Sequence, residues 1–369
     1  MTKVKVIGAG SIGNHLSNAA RKLGWDVTLV DLDPAALERT KTSLYPERYG
    51  AWDENITLSL VKDAPKGGFD YIFIGTPPDT HMAAALSALD EKPKAILVEK
   101  PVCTPDLAGA QTLWERSNAE NIPVFVGYDH VVGVASVNVE AAIKSGSLGA
   151  ISTLDVEFRE HWGGIFAAHF WLTGPADSYL GYWKRGGGAS GEHSHAANLW
   201  QHFAHLAGAG RVVEVNADMS FVQDGKVDYD SLCFLTLTTE NGVIGRVVQD
   251  VVTKPPRKMA RIQGQSGFVE WHCGYEPGCD AVILGGTAPE TTIERFHKTR
   301  PDDFVQELRH IEQATASDAS HSPISLKRGL DTMLVVAAAH RAVQEKQTIH
   351  IDYTKGYTND ALVVAKKTA

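Results

Sequence analysis

Three glycines within ten residues, followed at a set distance by one acid, constrain this chain more than any other feature. Residues 4–13 read Val-Lys-Val-Ile-Gly-Ala-Gly-Ser-Ile-Gly, and Asp31 stands eighteen residues after Gly13, closing the apolar run Val27-Thr28-Leu29-Val30. The order is strand, tight turn, helix, second strand, acid. Gly8 permits the turn, Gly10 lets the backbone approach a pyrophosphate, and Gly13 lets the helix pack close to the strand. Ser11 and Ile12 open that helix, whose free N–H groups and positive dipole end favour phosphate. A glycine triplet alone can be only a structural turn. The strand before it, the helical stretch 14–23 after it and the placed acid point to a dinucleotide.

Asp31 also discriminates between dinucleotides. A carboxylate at the end of the second strand accepts hydrogen bonds from the adenosine ribose and repels a 2′-phosphate. Leu32-Asp33-Pro34 adds no arginine to receive one. NAD is therefore the expected cofactor. Asp33, directly before a proline, suits the N-cap of the next helix better than Asp31 does.

Composition narrows the partners. The chain has 369 residues, 43% hydrophobic and 21% charged, with a net charge of -9. That length predicts two domains with ample core. No basic stripe invites nucleic acid. No apolar run approaches the roughly 20 residues that span a bilayer. The first strand begins within three residues, leaving no room for a signal peptide. Cys103, Cys233, Cys273 and Cys279 are scattered and form no CxxC pair, so a cytoplasmic, reducing setting is expected.

Strand and helix signals alternate to about residue 125. Strands are expected at 71–74, 95–98 and 124–127, with helices at 80–89 and 107–118. Short apolar strands between helices predict a doubly wound parallel sheet over residues 1–125. Gly8, Asp31, Thr76 and Glu99 fall at the strand ends where such sheets bind ligands. Beyond residue 125 the pattern changes. A helix at 137–144 precedes alternating runs at 151–158, 232–238 and 243–248, and Asn241-Gly242 marks a hairpin. These predict a second α/β domain over 126–352, with a large open, mostly antiparallel sheet. Helices are expected near 194–206, 303–316 and 327–345. The glycine-rich stretch 274–286 reads as a loop, and 353–369 as a tail with little pattern.

Chemistry concentrates in two places. Val98-Glu99-Lys100-Pro101 sets a lysine directly after a buried strand, beside the expected cofactor. A lysine there can hydrogen-bond a substrate hydroxyl and ease its deprotonation. From spacing alone it can equally be a surface lysine. The second place is Glu192-His193-Ser194-His195, after three glycines.

Here the chain resembles the glucose–fructose oxidoreductase, inositol dehydrogenase and MocA (Gfo/Idh/MocA) family. The stretches that carry the resemblance are Gly8 to Gly13, Gly75-Thr-Pro-Pro-Asp-Thr-His81, Glu99-Lys-Pro101, Ser145-Gly-Ser-Leu-Gly149 and Gly186 through His195. The segment from Phe304 through Ser325-Leu326 to Ile351 looks like the family's closing helices and strand. The resemblance implies a Rossmann domain, a second α/β domain and NAD(P)-dependent redox chemistry on a sugar-type carbon. It implies cofactor contacts from the glycine turn, Asp31, Thr76, Pro77, His81, Glu99 and Lys100. It assigns Lys100 to the reacting oxygen and His195 to acid–base catalysis, a role suited to histidine near neutral pH.

The sequence departs from that pattern around His195, where Asn198 also stands in place of the aspartate members often have. Many members carry an aspartate four residues before the histidine, where this chain has Gly191. Glu192 is three before, and a one-residue shortening could bring its carboxylate to a similar place. His193 is a rival for His195, which is favoured because Asn198 then preserves the His-x-x-Asp spacing in altered form. Glu192, His193 and His195 could ligate zinc, but nucleotide-dependent hydride transfer needs no metal, and none is expected. His202 and His205 read as packing or surface groups. Trp162, Trp171, Trp183 and Trp200 either stack on a substrate or fill core. Arg159, His161, Lys184 and Arg185 either receive an anion or form a solvated rim.

The expected activity is NAD-dependent dehydrogenation of a sugar, sugar acid or nucleotide-activated sugar by a homodimer or homotetramer that covers the open sheet. The alternatives are a cofactor-recycling oxidoreductase or eliminase that keeps NAD bound, and a non-catalytic NAD(H) sensor.

Overall fold

The structure, a computed structural model, describes residues 1–167, 169–286 and 290–365. The first sheet contains β1 (Lys3–Ile7), β2 (Asp26–Asp31), β3 (Ile56–Leu60), β4 (Tyr71–Ile74), β5 (Ala95–Val98) and β6 (Val124–Val126). They lie in the order β3-β2-β1-β4-β5-β6, every pairing parallel. The order reverses at β1/β4, and ligands bind beyond the strand ends at such a reversal. Helices on both faces bury the central strands, so Tyr71–Ile74 and Ala95–Val98 are buried along their whole length.

The helix Ser11–Lys22 packs Leu16, Ala19 and Ala20 into this core. Asp33 caps the next helix, Pro34–Arg39, by accepting from the Ala35 N–H at 2.9 Å.

The second sheet is formed by β7 (Ile151–Arg159), β8 (Val212–Gln223), β9 (Asp228–Thr239), β10 (Ile244–Asp250), β11 (Arg257–Gly264), β12 (Gly267–Glu276), β13 (Cys279–Gly286), β14 (Thr291–His297), β15 (Ile349–Ile351) and β16 (Leu362–Val364). Their order is β14-β13-β12-β11-β7-β10-β9-β8-β15-β16. Only β7 and β10 run parallel; the other pairings are antiparallel. The Asn241-Gly242 hairpin joins β9 to β10, pairing Thr238 with Ile244. Cys233, Leu235 and Leu237 face the helices, whereas Phe234 and Ile244 look outward and are partly exposed.

The helices His195–Leu206 and Leu326–Glu345 fill the covered face. Trp200 donates its indole N–H to Leu154 O at 3.0 Å, and Asn198 donates to Thr332 Oγ1 at 3.0 Å. The helix Leu326–Glu345 also presses on the first sheet. A Cβ at Gly329 would stand 2.4 Å from Val126 Cγ2, so this glycine lets the two halves share one core.

Two sequence expectations need correction. The glycine-rich stretch 274–286 is a strand pair, not a loop. Gly274 and Gly278 take positive φ at the turn, while Cys279 to Leu284 pairs with both β12 and β14. The glycines masked an apolar run. Residues 353–365 are also not patternless, because β16 pairs with β15 at the sheet edge; residues 366–369 lie outside the described residues.

Candidate active site

The cofactor turn is built as its spacing requires. Gly8 has φ +105°, and a Cβ there would stand 2.8 Å from Gly75 O. At Gly13 an added Cβ would stand 1.8 Å from Gly8 O, so this glycine sets the helix against the strand. Gly10, by contrast, has nothing within 4 Å of an added Cβ. It is the N-cap of Ser11–Lys22 and offers no side-chain cap. The first N–H groups of that helix therefore face open space of the kind phosphate occupies. Asp31 Oδ2 accepts from Ala9 N at 2.7 Å and its Oδ1 from Asp33 N at 2.9 Å. The carboxylate is thereby fixed on the wall of an apolar cleft shared with Gly8, Gly10, Leu32, Thr76 and Pro77. These residues fit a dinucleotide.

His81 does not join that wall. It is fully buried, with Nδ1 2.9 Å from Pro101 O and Nε2 2.7 Å from Thr76 O. It braces the two turns that carry Thr76 and Lys100. Burial lowers its pKa to about 4.

The cleft continues past Gly10, Ser11, Ile12 and Glu99 to Lys100 and Glu192. Beyond lies a cavity of about 700 Å³ at the junction of the two sheets, reached by Lys100, Glu192, His193 and His195. Lys100, from the end of β5, donates to Glu192 O at 2.8 Å and pairs with Glu192 Oε2 at 3.2 Å. Burial would push the Glu192 carboxyl up, but the Lys100 ammonium and His193 overcome it and hold its pKa below the ordinary value. The Tyr179 hydroxyl, buried beside Glu192, is pushed well above its usual range. Glu99 is buried against Gly127, and burial with the nearby Asp129 raises its pKa to about 8.

Both candidate histidines reach the cavity. His193 is 3% exposed, and its Nε2 has no hydrogen-bond partner. His195 opens the helix His195–Leu206 and is somewhat more exposed. Its ring sits between Tyr128 (5.5 Å, edge-on), His130 (4.7 Å, edge-on) and Phe158 (6.1 Å, stacked). Burial, then His130, Lys100, Lys258 and Arg300, drive its pKa well below 6.5, so the ring is neutral.

The structure adds residues the sequence did not reveal. Asp129 and His130, in the turn after β6, stand beside His195. Lys258 pairs with Glu160 at 2.6 Å, and Lys298 with Asp280 and Asp303 at 2.7 Å each. His169 lines both cleft and cavity. The cavity thus alternates cations with acids and carries no one-sided charge. Among the described residues, the group with metal-ligand spacing is Asp129, His130 and His195, not Glu192, His193 and His195.

The tryptophans divide. Trp200 is core, and Trp183 stacks on His340 at 4.3 Å, away from the cavity. Trp162 is buried against Tyr229. Trp171 lines the cleft and lies under the Arg39 guanidinium at 5.0 Å. Of the flanking cations, Arg159 pairs with Asp250 at 2.6 Å, and Lys184 stands over Trp183. His161 accepts from Gly163 N at 2.8 Å. Arg185 reaches across to Asp79 at 2.7 Å.

Residues 2–128 match the family model described as an oxidoreductase family with an NAD-binding Rossmann fold, and residues 137–270 match the GFO/IDH/MocA C-terminal domain. Solved structures share the fold across the chain. An oxidoreductase from Agrobacterium radiobacter, in complex with NAD+, L-tartaric acid and magnesium, is 20% identical with a TM-score of 0.74, covering 95% of this chain and 98% of its own. A putative myo-inositol dehydrogenase from Sinorhizobium meliloti 1021 is 20% identical with a TM-score of 0.72, covering 95% and 99%. The WlbA dehydrogenase from Bordetella pertussis, in complex with NADH and UDP-GlcNAcA, is 19% identical with a TM-score of 0.69, covering 95% and 98%. A search of curated proteins gives no match. No helix among the described residues is long and apolar enough to cross a membrane.

Proposed function

The chain belongs to the GFO/IDH/MocA family of NAD-binding oxidoreductases, and from that premise we propose that it transfers hydride between NAD and a carbinol carbon of a sugar, sugar acid or nucleotide-activated sugar. One observation carries the reading. Ser11, Ile12, Lys100 and Glu192 line both the dinucleotide cleft and the cavity beyond it. A carbon in the cavity therefore lies next to the cofactor's reactive end, with Lys100 and His195 on its oxygen side. The alternating charges of the cavity suit a hydroxyl-rich molecule, and fold relatives crystallised with tartaric acid and UDP-GlcNAcA agree with that class.

When bound, NAD supplies the hydride acceptor. The protein's residues do the rest. The helix Ser11–Lys22 and Asp31 hold the dinucleotide. Lys100, steadied by Glu192, places its ammonium at the reacting oxygen and favours the alkoxide. The neutral His195 ring takes the hydroxyl proton as the C–H hydride leaves, and the alcohol becomes a carbonyl. The test is NADH production from NAD across a panel of sugars, sugar acids and nucleotide sugars, with deuterium at the carbinol carbon recovered in the reduced cofactor. NADH binding with no turnover across the panel would favour a sensor instead.

A second reading is favoured by two contacts across the cleft, Arg39 with Trp171 and Arg185 with Asp79. They hold residues 169–185 over the cleft where the cofactor would lie, as a protein that recycles bound NAD requires. Nucleotide in a denatured extract of the purified protein would support retention.

A further inference from the structure

We propose that Asp129 is a positioning residue for His195, deciding which ring nitrogen carries the proton and which faces the substrate. The inference rests on the reading of His195 as the proton acceptor. Asp129 is 6% exposed, and its Oδ1 has no hydrogen-bond partner. The buried Nδ1 of His195 is likewise unpartnered. These two atoms face each other at 3.8 Å. Buried polar atoms without partners are costly, and here each is the other's missing complement.

A proton on Nδ1 and a closure of about 1 Å satisfy both, and catalytic hydrogen bonds commonly tighten only when substrate binds. Tyr128, His130 and Phe158 pack around the ring and set its plane. With the proton on Nδ1, the lone pair on Nε2 is free to take the substrate's proton. The Asp129 Oδ2 atom is 3.5 Å from Arg300, which anchors the carboxylate from its other side.

The sequence explains why this carboxylate comes from elsewhere in the chain. The position four residues before His195 is Gly191, and the neighbouring Glu192 is committed to Lys100. The turn after β6 supplies the acid that the histidine's own segment does not. Asp129, His130 and His195 also have ligand atoms within 4.8 Å of one another. A metal ion there would meet the field of Lys100, Lys258 and Arg300, the cations that already disfavour a charged His195. A hydrogen bond suits that field better.

The experiment is imidazole nitrogen NMR on the full-length protein with NADH bound, His195 being assigned by its loss in His195→Asn. Wild type should carry the proton on Nδ1, and Asp129→Asn should move it to Nε2 without changing NADH affinity. With a sugar that the panel shows to be turned over, Asp129→Asn should lower kcat roughly a hundredfold to ten-thousandfold with KM little changed, and Asp129→Glu should restore part of it. The double variant with His195→Asn should be no slower than His195→Asn alone. A wild-type proton on Nε2, an unchanged tautomer in Asp129→Asn, or losses that multiply in the double variant would overturn the proposal. If no sugar is turned over, the functional reading fails, while the tautomer still decides the place of Asp129. Should Asp129→Asn not fold, the wild-type spectrum and Asp129→Glu decide it.

Discussion

The two halves of the site are made in opposite ways. The dinucleotide turn, from Gly8 to Asp31, is one strand–helix–strand unit, and its geometry follows from residues adjacent in the chain. The proposed catalytic wall draws Lys100 from the end of β5, His195 from a helix start and Lys258 from β11, with Asp129, in the turn after β6, set against His195. The first half is mostly backbone chemistry, set by the close approaches at Gly8 and Gly13. The second depends on the two sheets holding their places. Binding and turnover should therefore fail separately. Lys100→Met tests this most strongly: kcat should fall roughly a hundredfold to ten-thousandfold, while the NADH dissociation constant, measured by fluorescence titration, stays within a few-fold. Equal loss of both would mean the halves are not separable.

A change in the scaffold behind the wall should act on stability instead. Asp230, on β9, accepts from Ser190 N at 2.7 Å and from Ser190 Oγ at 3.0 Å, anchoring the helix Gly188–Glu192 that carries Glu192. It has no exposed surface, and burial raises its pKa from 3.8 to about 7. A raised carboxyl pKa means the folded state holds a proton that the unfolded state has lost. Stability from this group is present below about 3.8 and declines as pH rises to about 7. Asp230→Asn keeps an acceptor for Ser190 and removes the charge. It should be more stable than wild type at pH 8, by on the order of a few kcal/mol, with the gap closing toward pH 4. Thermal melts across that range decide it. A gap that does not change with pH would assign Asp230 a purely steric role.

The same contrast explains what the sequence made legible. The glycine turn, Asp31, the parallel sheet and the β9–β10 hairpin are local patterns, and each stands where its spacing placed it. Lys100 and Glu192 stand in motifs legible in the sequence, and the structure brings them together although they lie 92 positions apart. Asp129 and His130 carried no signal, because nothing in Tyr-Asp-His-Val-Val says which helix start they will face. His81 misled for the opposite reason. It follows a segment that lines the cleft, yet its ring turns inward to two backbone carbonyls. The strand Cys279–Gly286 was hidden by flanking glycines that serve its turn. Side-chain direction and long-range pairing are tertiary facts, and one sequence states them weakly.

Asp31 probes the local half. Its two oxygens are already placed by Ala9 N and Asp33 N, so a ribose bound there would meet a preset acceptor. Asp31→Asn keeps the size and removes the charge. NADH affinity should fall by about 1.5–3 kcal/mol, the range of a hydrogen bond to a charged group, and the bias against NADPH should shrink. Titrating both reduced nucleotides against wild type and variant measures each effect. A weakened NADH site with an unchanged bias would place the discrimination elsewhere on the cleft wall.

The smallest effect should appear where the halves touch. Arg185 belongs to the connection from β7, and Asp79 follows β4 on the dinucleotide side. Both side chains are partly exposed, so the pair contributes at most about 1 kcal/mol. That suffices to change a release rate several-fold if the pair holds residues 169–185 over the cofactor. Arg185→Ala should speed NADH dissociation two- to fivefold in stopped flow, and high salt should reduce the difference, since salt screens an exposed pair. Trp171→Ala removes the ring under Arg39 and should act in the same direction without the salt dependence. If neither variant changes release, the cofactor half exchanges its ligand independently of the segment above it. Retention of NAD through turnover then loses its structural basis, leaving simple dehydrogenation with exchanging cofactor as the activity the site supports.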